Sequence, residues 1–143
     1  MIFDLEALEK PITARCAPLQ DRNITVRWLP DQRASQGAIA NGDSVTFAWA
    51  AAAVVQAKTN RAGGYATTAH TLVAYVRAAN VRGVGGGYWI IRQLRQLLPG
   101  NPIEGQLLSY MGHEMTDPVE RDPAYRYTVQ FQLVVNESVD RHA

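Results

Sequence analysis

The sequence predicts an α+β fold: a mainly antiparallel or mixed β-sheet packed by helices on one face. Three observations predict it. Near the end of the chain Tyr125, Tyr127, Val129, Phe131, Leu133 and Val135 alternate with polar residues such as Arg126, Thr128, Gln130 and Gln132, the period of a strand buried on one side. At residues 88–98 the period changes, and Ile90, Ile91, Leu94, Leu97 and Leu98 form one helical stripe opposite Arg92, Gln93, Arg95 and Gln96. The segments run helix-strand-strand-strand-helix-strand-strand, and two helices cannot cover both faces of five strands. The second face is expected to be wet or covered by a partner.

In chain order, residues 2–17 place Ile2, Leu5 and Leu8 on one helical face, with Asp4 and Glu6 in the first turn, where the helix dipole favours acids. Pro11 limits or restarts this helix. NITVRWLP (23–30) alternates Ile24, Val26 and Trp28 with Thr25 and Arg27 and reads as a strand ended by Pro30. Residues 31–43 form a polar connection carrying the Asn41-Gly42 turn signal. SVTFAWAAAAVVQAK has alanines that favour helix, but Val45, Phe47 and Trp49 alternate, which predicts a strand over 44–56. Its small Ala48, Ala50 and Ala52 would let another layer or another chain approach. TNRAGGY (59–65) reads as a loop. In TTAHTLVAYVRAA (67–79), His70, Leu72, Ala74 and Val76 share one strand face, and Thr71, Val73, Tyr75 and Arg77 the other. RGVGGG (82–87) turns the chain into the helix, and Pro99-Gly100 stops it. NPIEG turns again. QLLSYMGHEM (106–115) reads as a strand with Leu107, Ser109, Met111 and His113 on one side, and Gly112 marks a bulge. TDPVERDP (116–123) is a loop before the final strand.

The 143 residues fit one domain, and an apolar content of 47% against 19% charged suffices for a core while leaving a weakly polar surface that favours subunit contacts. The net charge of +1 gives no general case for nucleic-acid or membrane binding. The charge is segregated, however. Residues 44–103 hold no Asp or Glu but do hold Lys58, Arg61, Arg77, Arg82, Arg92 and Arg95. From Glu104 onward acids dominate, including Glu120 and Asp122. A basic middle and an acidic tail can pair within one chain or between neighbours. Cys16 is alone, so no internal disulfide forms, and a reducing compartment fits. The first residues lack the pattern of a signal peptide, and FAWAAAAVV is too short to span a bilayer as a helix.

No catalytic set is legible. RGVGGG lacks the Gly-Lys-Ser/Thr of a phosphate loop, and Tyr88 stands where a dinucleotide fingerprint needs its third glycine. His70, His113 and His142 have no metal-ligand spacing. Cys16 lacks a nucleophile motif and reads as a small buried residue. Ser109, His113 and Asp117 suggest a triad, but four strand residues separate the first two by about 13 Å. No cofactor is expected.

The order and spacing of VRWLP, SVTFAW, HTLVAYVRAANVRG, GGYWIIRQLRQLLPGNP and YRYTVQFQLVV resemble the Mu-like Gp37 family of tailed-phage tail terminator proteins. The resemblance covers roughly residues 2–136. It rests on the Gly87-Tyr88 start of the helix, its Leu98-Pro99-Gly100 exit and the aromatic strand from Tyr125 to Phe131. It implies a non-enzymatic virion protein that closes into a ring of its own copies, usually a hexamer. The ring caps the head-proximal end of the tail tube and stops its growth. It implies as partners the tube protein, a neck or head completion protein and, in a contractile tail, the sheath, with genomic DNA passing through the lumen unread. Its place would be the virion tail, assembled in the host cytoplasm. Under that resemblance Ala48, Ala50, Ala52, Arg61, Arg92, Arg95, Glu120 and Asp122 are the candidate interface residues, and loops 59–65 and 116–123 the candidate partner contacts. Another tail tube or connector component, a small ligand-binding domain and an enzyme are the alternatives.

Overall fold

The computed structural model describes residues 4–30, 42–60, 63–116 and 122–140. After a short 3₁₀ turn at Glu6–Leu8, the elements are α1 (Glu9–Arg15), α2 (Ala17–Gln20), β1 (Thr25–Trp28), β2 (Ser44–Asn60), β3 (Gly63–Ala78), α3 (Gly87–Leu97), β4 (Leu108–Met115) and β5 (Tyr125–Asp140). The predicted fold class and helix–strand order are both present. The strands form one sheet in the order β1-β2-β3-β5-β4. β1 runs parallel to β2, and the other neighbouring pairs are antiparallel.

The core lies between the helices and one sheet face. Ile12, Cys16 and Leu19 from the first helices and Ile90, Ile91, Leu94 and Leu98 from the α3 region meet Val45, Phe47, Leu72, Ala74, Val76, Val129, Phe131 and Leu133. Apart from Ile12, Cys16 and Leu19, these are the residues that the alternation and the helical stripe select. Leu97 is only half-buried at the edge of that stripe. Trp28 Nε1 donates to Thr13 Oγ1 at 2.9 Å and ties β1 to α1.

Pro11 marks a restart of the N-terminal helix after the 3₁₀ turn, as expected. It sits in the first turn of α1, where its missing N–H would have no partner anyway. The break comes at Cys16, between α1 and α2. α3 starts where Gly83 and Gly85 take φ near +85° and then packs Gly87 against β5. A Cβ on Gly87 would lie 2.6 Å from Tyr127 Cε2, so only hydrogen fits between the helix start and that ring. β4 begins at Leu108 rather than at 106, because residues 103–106 close a tight turn. Ile103 N donates to Gln106 O at 2.8 Å, and Gln106 N to Ile103 O at 2.9 Å. Glu104 and Gly105 both take positive φ inside it.

Two expectations about strand faces fail for one reason, the β-bulge. The register shifts between Tyr110 and Gly112, which has φ +132°. Beyond the shift His113 pairs with Val129 and Met115 with Tyr127, on the helix-facing side that also carries Leu108 and Tyr110. His113 therefore does not share a face with Ser109. In β2 a shift between Trp49 and Ala51 separates Ala48, opposite Val73, from Ala52, opposite His70. Val73 and His70 lie on opposite faces of β3, so Ala48, Ala50 and Ala52 do not form one small-residue face.

The loop expected at 59–65 is mostly strand. Thr59 pairs with Gly64 and Asn60 with Gly63, so β2 and β3 continue almost to the tip. Residues 61–62 lie outside the described residues. Thr116 and residues 122–124 are not strand, consistent with the loop expected at 116–123, whose residues 117–121 also lie outside the described ones.

Candidate functional site

The sheet has two zones. In the first, helices back it. In the second, β2, β3 and β5 continue as a three-stranded arm. β1 accompanies β2 only as far as Phe47, and β4 accompanies β5 only up to Leu133. Beyond those points, among the described residues, β2 pairs with β3 on one side only, through Asn60, and β5 likewise pairs only with β3, through Asp140. Every residue of β2 from 50 to 59 is exposed, including Val54 at 63% and Val55 at 67%. Apolar side chains exposed on both faces of a strand, beside a bare row of backbone donors and acceptors, mark a surface built to be covered. Among the described residues no element covers it.

His70 and Trp49 stand at the root of this arm. His70 is buried and places Nε2 3.3 Å from Glu137 Oε1. The Trp49 ring lies edge-on to the imidazole at 6.4 Å between centroids. Glu137 is on β5, so this contact joins two strands that flank the arm's base.

The second surface is the sheet face opposite the helices. Register puts Arg27, Thr46, Tyr75 and Thr128 in one row across β1, β2, β3 and β5, with Arg77 and Arg126 in the next. Together with Leu29 and Pro30 they line a cleft of about 490 Å³. Arg27 Nε donates to Thr46 Oγ1 at 3.2 Å.

One end of the cleft is fastened by Asp122. Arg77 grips it with both nitrogens of its fork, Nε to Oδ2 at 3.1 Å and Nη2 to Oδ1 at 2.9 Å. Ala124 N donates to Oδ1 at 3.1 Å, and Arg126 Nη2 contacts Oδ2. Arg77 Nη1 also donates to Gly42 O at 2.7 Å. The Arg77 hydrogen bonds, then those of Ala124 N and Arg126, hold the Asp122 carboxyl far below the usual carboxylate range. The basic middle and acidic tail thus pair within the chain at this point. Asp122, one of the candidate interface residues, belongs to an internal clamp.

The remaining candidates scatter. Arg92 and Arg95 lie on the exposed side of α3, and the Arg95 guanidinium sits 4.2 Å above the Tyr110 ring. Ala48 is buried at 8% exposure, while Ala50 and Ala52 are exposed in the arm. Arg61 and Glu120 lie outside the described residues. The six that are described therefore do not form one patch. Sequence reasoning missed Arg27, Tyr75 and Arg77 as cleft neighbours. Their alternation on β1 and β3 was visible, but the parallel β1–β2 pairing that brings them together had no local signal.

Chemically reactive residues are apart or sealed. Cys16 is buried, and burial pushes its thiol up to about 12. Ser109 pairs with Gln132 on the open face, while His113 pairs with Val129 on the helix-facing side and meets the Tyr110 hydroxyl through Nδ1. The Ser109–His113 pairing of a triad is therefore ruled out by the sheet itself. Among the described residues no three of His, Cys, Asp and Glu converge as metal ligands, and no helix is long and apolar enough to cross a membrane.

No family model matches this sequence, and no curated protein does. Among solved structures, a chain from the virion of a native gene transfer agent (GTA) particle matches with a TM-score of 0.58 at 14% identity, over 95% of this chain and 100% of that one. The chain therefore shares its fold, nearly end to end, with a component of that virion.

Proposed function

We propose that this protein is a virion structural protein, a tail terminator whose copies close into a ring, a hexamer in the resembled family, on the head-proximal end of a tail tube. The ring stops tube growth and presents its other side to a neck or head completion protein. It meets the sheath where the tail is contractile, and DNA passes through it without being read. In this reading the protein is not an enzyme. Ala50 and Ala52 in the arm and Arg92 and Arg95 on α3 are contact residues, and Arg61 and Glu120 remain contact candidates on the sequence alone.

The observation that carries the reading is the arm: a fold shared with a gene transfer agent virion chain in which a long part of the sheet has neither a second layer nor covered edges among the described residues. A monomeric enzyme or binding domain gains nothing from such a surface, whereas a ring subunit needs two different surfaces that fit one another.

Native mass spectrometry of the purified protein, with negative-stain images, tests the proposal. A single closed species of fixed copy number that blocks elongation when added to tube subunits is the expected result. Open filaments of indefinite length would make the protein a tube subunit. A monomer at high concentration with no effect on tube growth would refute the terminator role.

A further inference from the structure

Among the described residues no further strand pairs with the outer edge of β2 beyond Phe47 or of β5 beyond Leu133, and the two stretches overlap in height. Residues 53–60 of β2 stand level with residues 63–69 of β3, which stand level with residues 134–140 of β5. The extra β2 residue is taken up by the register shift between Val54 and Gln56. Sheet edges of this length are normally guarded by charge or proline. Residues 48–60 contain no proline and one charge, Lys58. Residues 134–140 contain two acids, Glu137 and Asp140, and no base.

We propose that the outer edge of β2 in one copy pairs, main chain to main chain, with the outer edge of β5 in a second copy. This deepens the ring reading and rests on it only for closure. The two stretches differ in charge, Lys58 in one and Asp140 in the other beside a Glu137 that faces His70 of its own copy, so pairing β2 with β5 joins opposite signs, whereas β5 against β5 brings acids together. The direction of the strands is also fixed. β2 and β5 are both antiparallel to β3 and so run the same way. Rotation about a ring axis lying along the strands keeps that direction, so the intermolecular pair is parallel and the three-stranded arms join into one continuous sheet. A twofold dimer would have to pair β2 with β2 or β5 with β5, antiparallel in either case. Edge addition of this kind draws its affinity from backbone hydrogen bonds, which explains how small, unspecific side chains such as Ala51, Ala53 and Ala57 can serve at a subunit contact.

The test is the full chain carrying Ala53→Cys together with Val134→Cys, mildly oxidised in the assembled state. Both positions are exposed, and they are level on the same face, each opposite Ala69. Within one copy β3 separates them by two strand spacings, about 9.6 Å, beyond the roughly 7 Å limit for a disulfide. A ladder of covalent oligomers from the double variant, with none from either single variant, is expected. Hydrogen exchange on the unmodified protein should show the arm amides of β2 and β5 slowed about a hundredfold on assembly. Dimers from either single variant alone would overturn the proposal in favour of a twofold pair. Closed rings whose arm amides stay unprotected and whose double variant does not cross-link would overturn it while leaving the ring intact. Covalent chains that never close would keep the edge pairing and sink the ring.

Discussion

Asp122 concentrates much of the protein's polar bonding in one side chain. Three groups, Arg77, Ala124 N and Arg126, hold its carboxylate. Because its native pKa is lowered, the stability it contributes is fully present above the unfolded value of about 3.9 and is lost as pH falls through the native value. Urea melts should therefore find Asp122→Asn less stable than the parent at pH 7, with the gap narrowing steadily below about pH 4. A constant gap across that range would remove the carboxylate's charge from the account. Cys16 shows the opposite sign. Burial pushes its thiol up to about 12, so it stays protonated near neutral pH. A thiol reagent should label it only when the chain is unfolded; rapid labelling of the native protein would mean that Cys16 is not sealed in the core. The sequence showed that Cys16 was a small buried residue. It did not show the clamp, because Arg77 and Asp122 lie 45 positions apart and no local pattern links them.

At the level of elements, the fold was legible wherever one face is buried and the period is kept. The alternation of β1 and β5 and the stripe of α3 pick out core residues directly. Legibility failed at bulges, because one extra residue reverses the facing of everything after it. The alanine run in β2 and the His113 side of β4 were both misassigned for that reason. The tip at 59–65 was misread because Gly63 and Gly64 signal a loop locally, while pairing to β2 and β5 extends the strand through them. The start of α3 makes a sharper demand. Gly87→Ala should cost about 1–3 kcal/mol in a denaturant melt, since the added methyl must displace the Tyr127 ring. Unchanged stability would show that the ring yields freely. Tyr127 Oη is itself buried without a partner among the described residues, so Tyr127→Phe should be neutral or slightly stabilising.

For the molecule as a whole, the helix-backed half supplies the core and the arm supplies surface. If copies cover that surface for one another, stability becomes a function of concentration. The thermal midpoint should rise with protein concentration across the range in which assembly occurs. A midpoint independent of concentration over a hundredfold range would mean that the protomer does not draw on its neighbours. The candidate surface was only partly readable from sequence. Low charge and many alanines foretold an uncovered surface, but its location depends on how far β1 and β4 fall short of their longer neighbours, a property of the assembled sheet.

The connectivity of β3 carries a kinetic consequence. Its partner on one side is close in sequence, since Asn60 pairs with Gly63 only three residues on. On the other side Gly63 must wait for Asp140, 77 positions later. Nearby contacts close quickly and distant ones slowly. The hairpin of β2 and β3 should thus form early and remain a two-stranded ribbon, open to wrong partners, until β5 reaches it. A newly made chain is most vulnerable to mispairing in that interval, and the waiting time is set by the chain's longest connection rather than by its tightest contact.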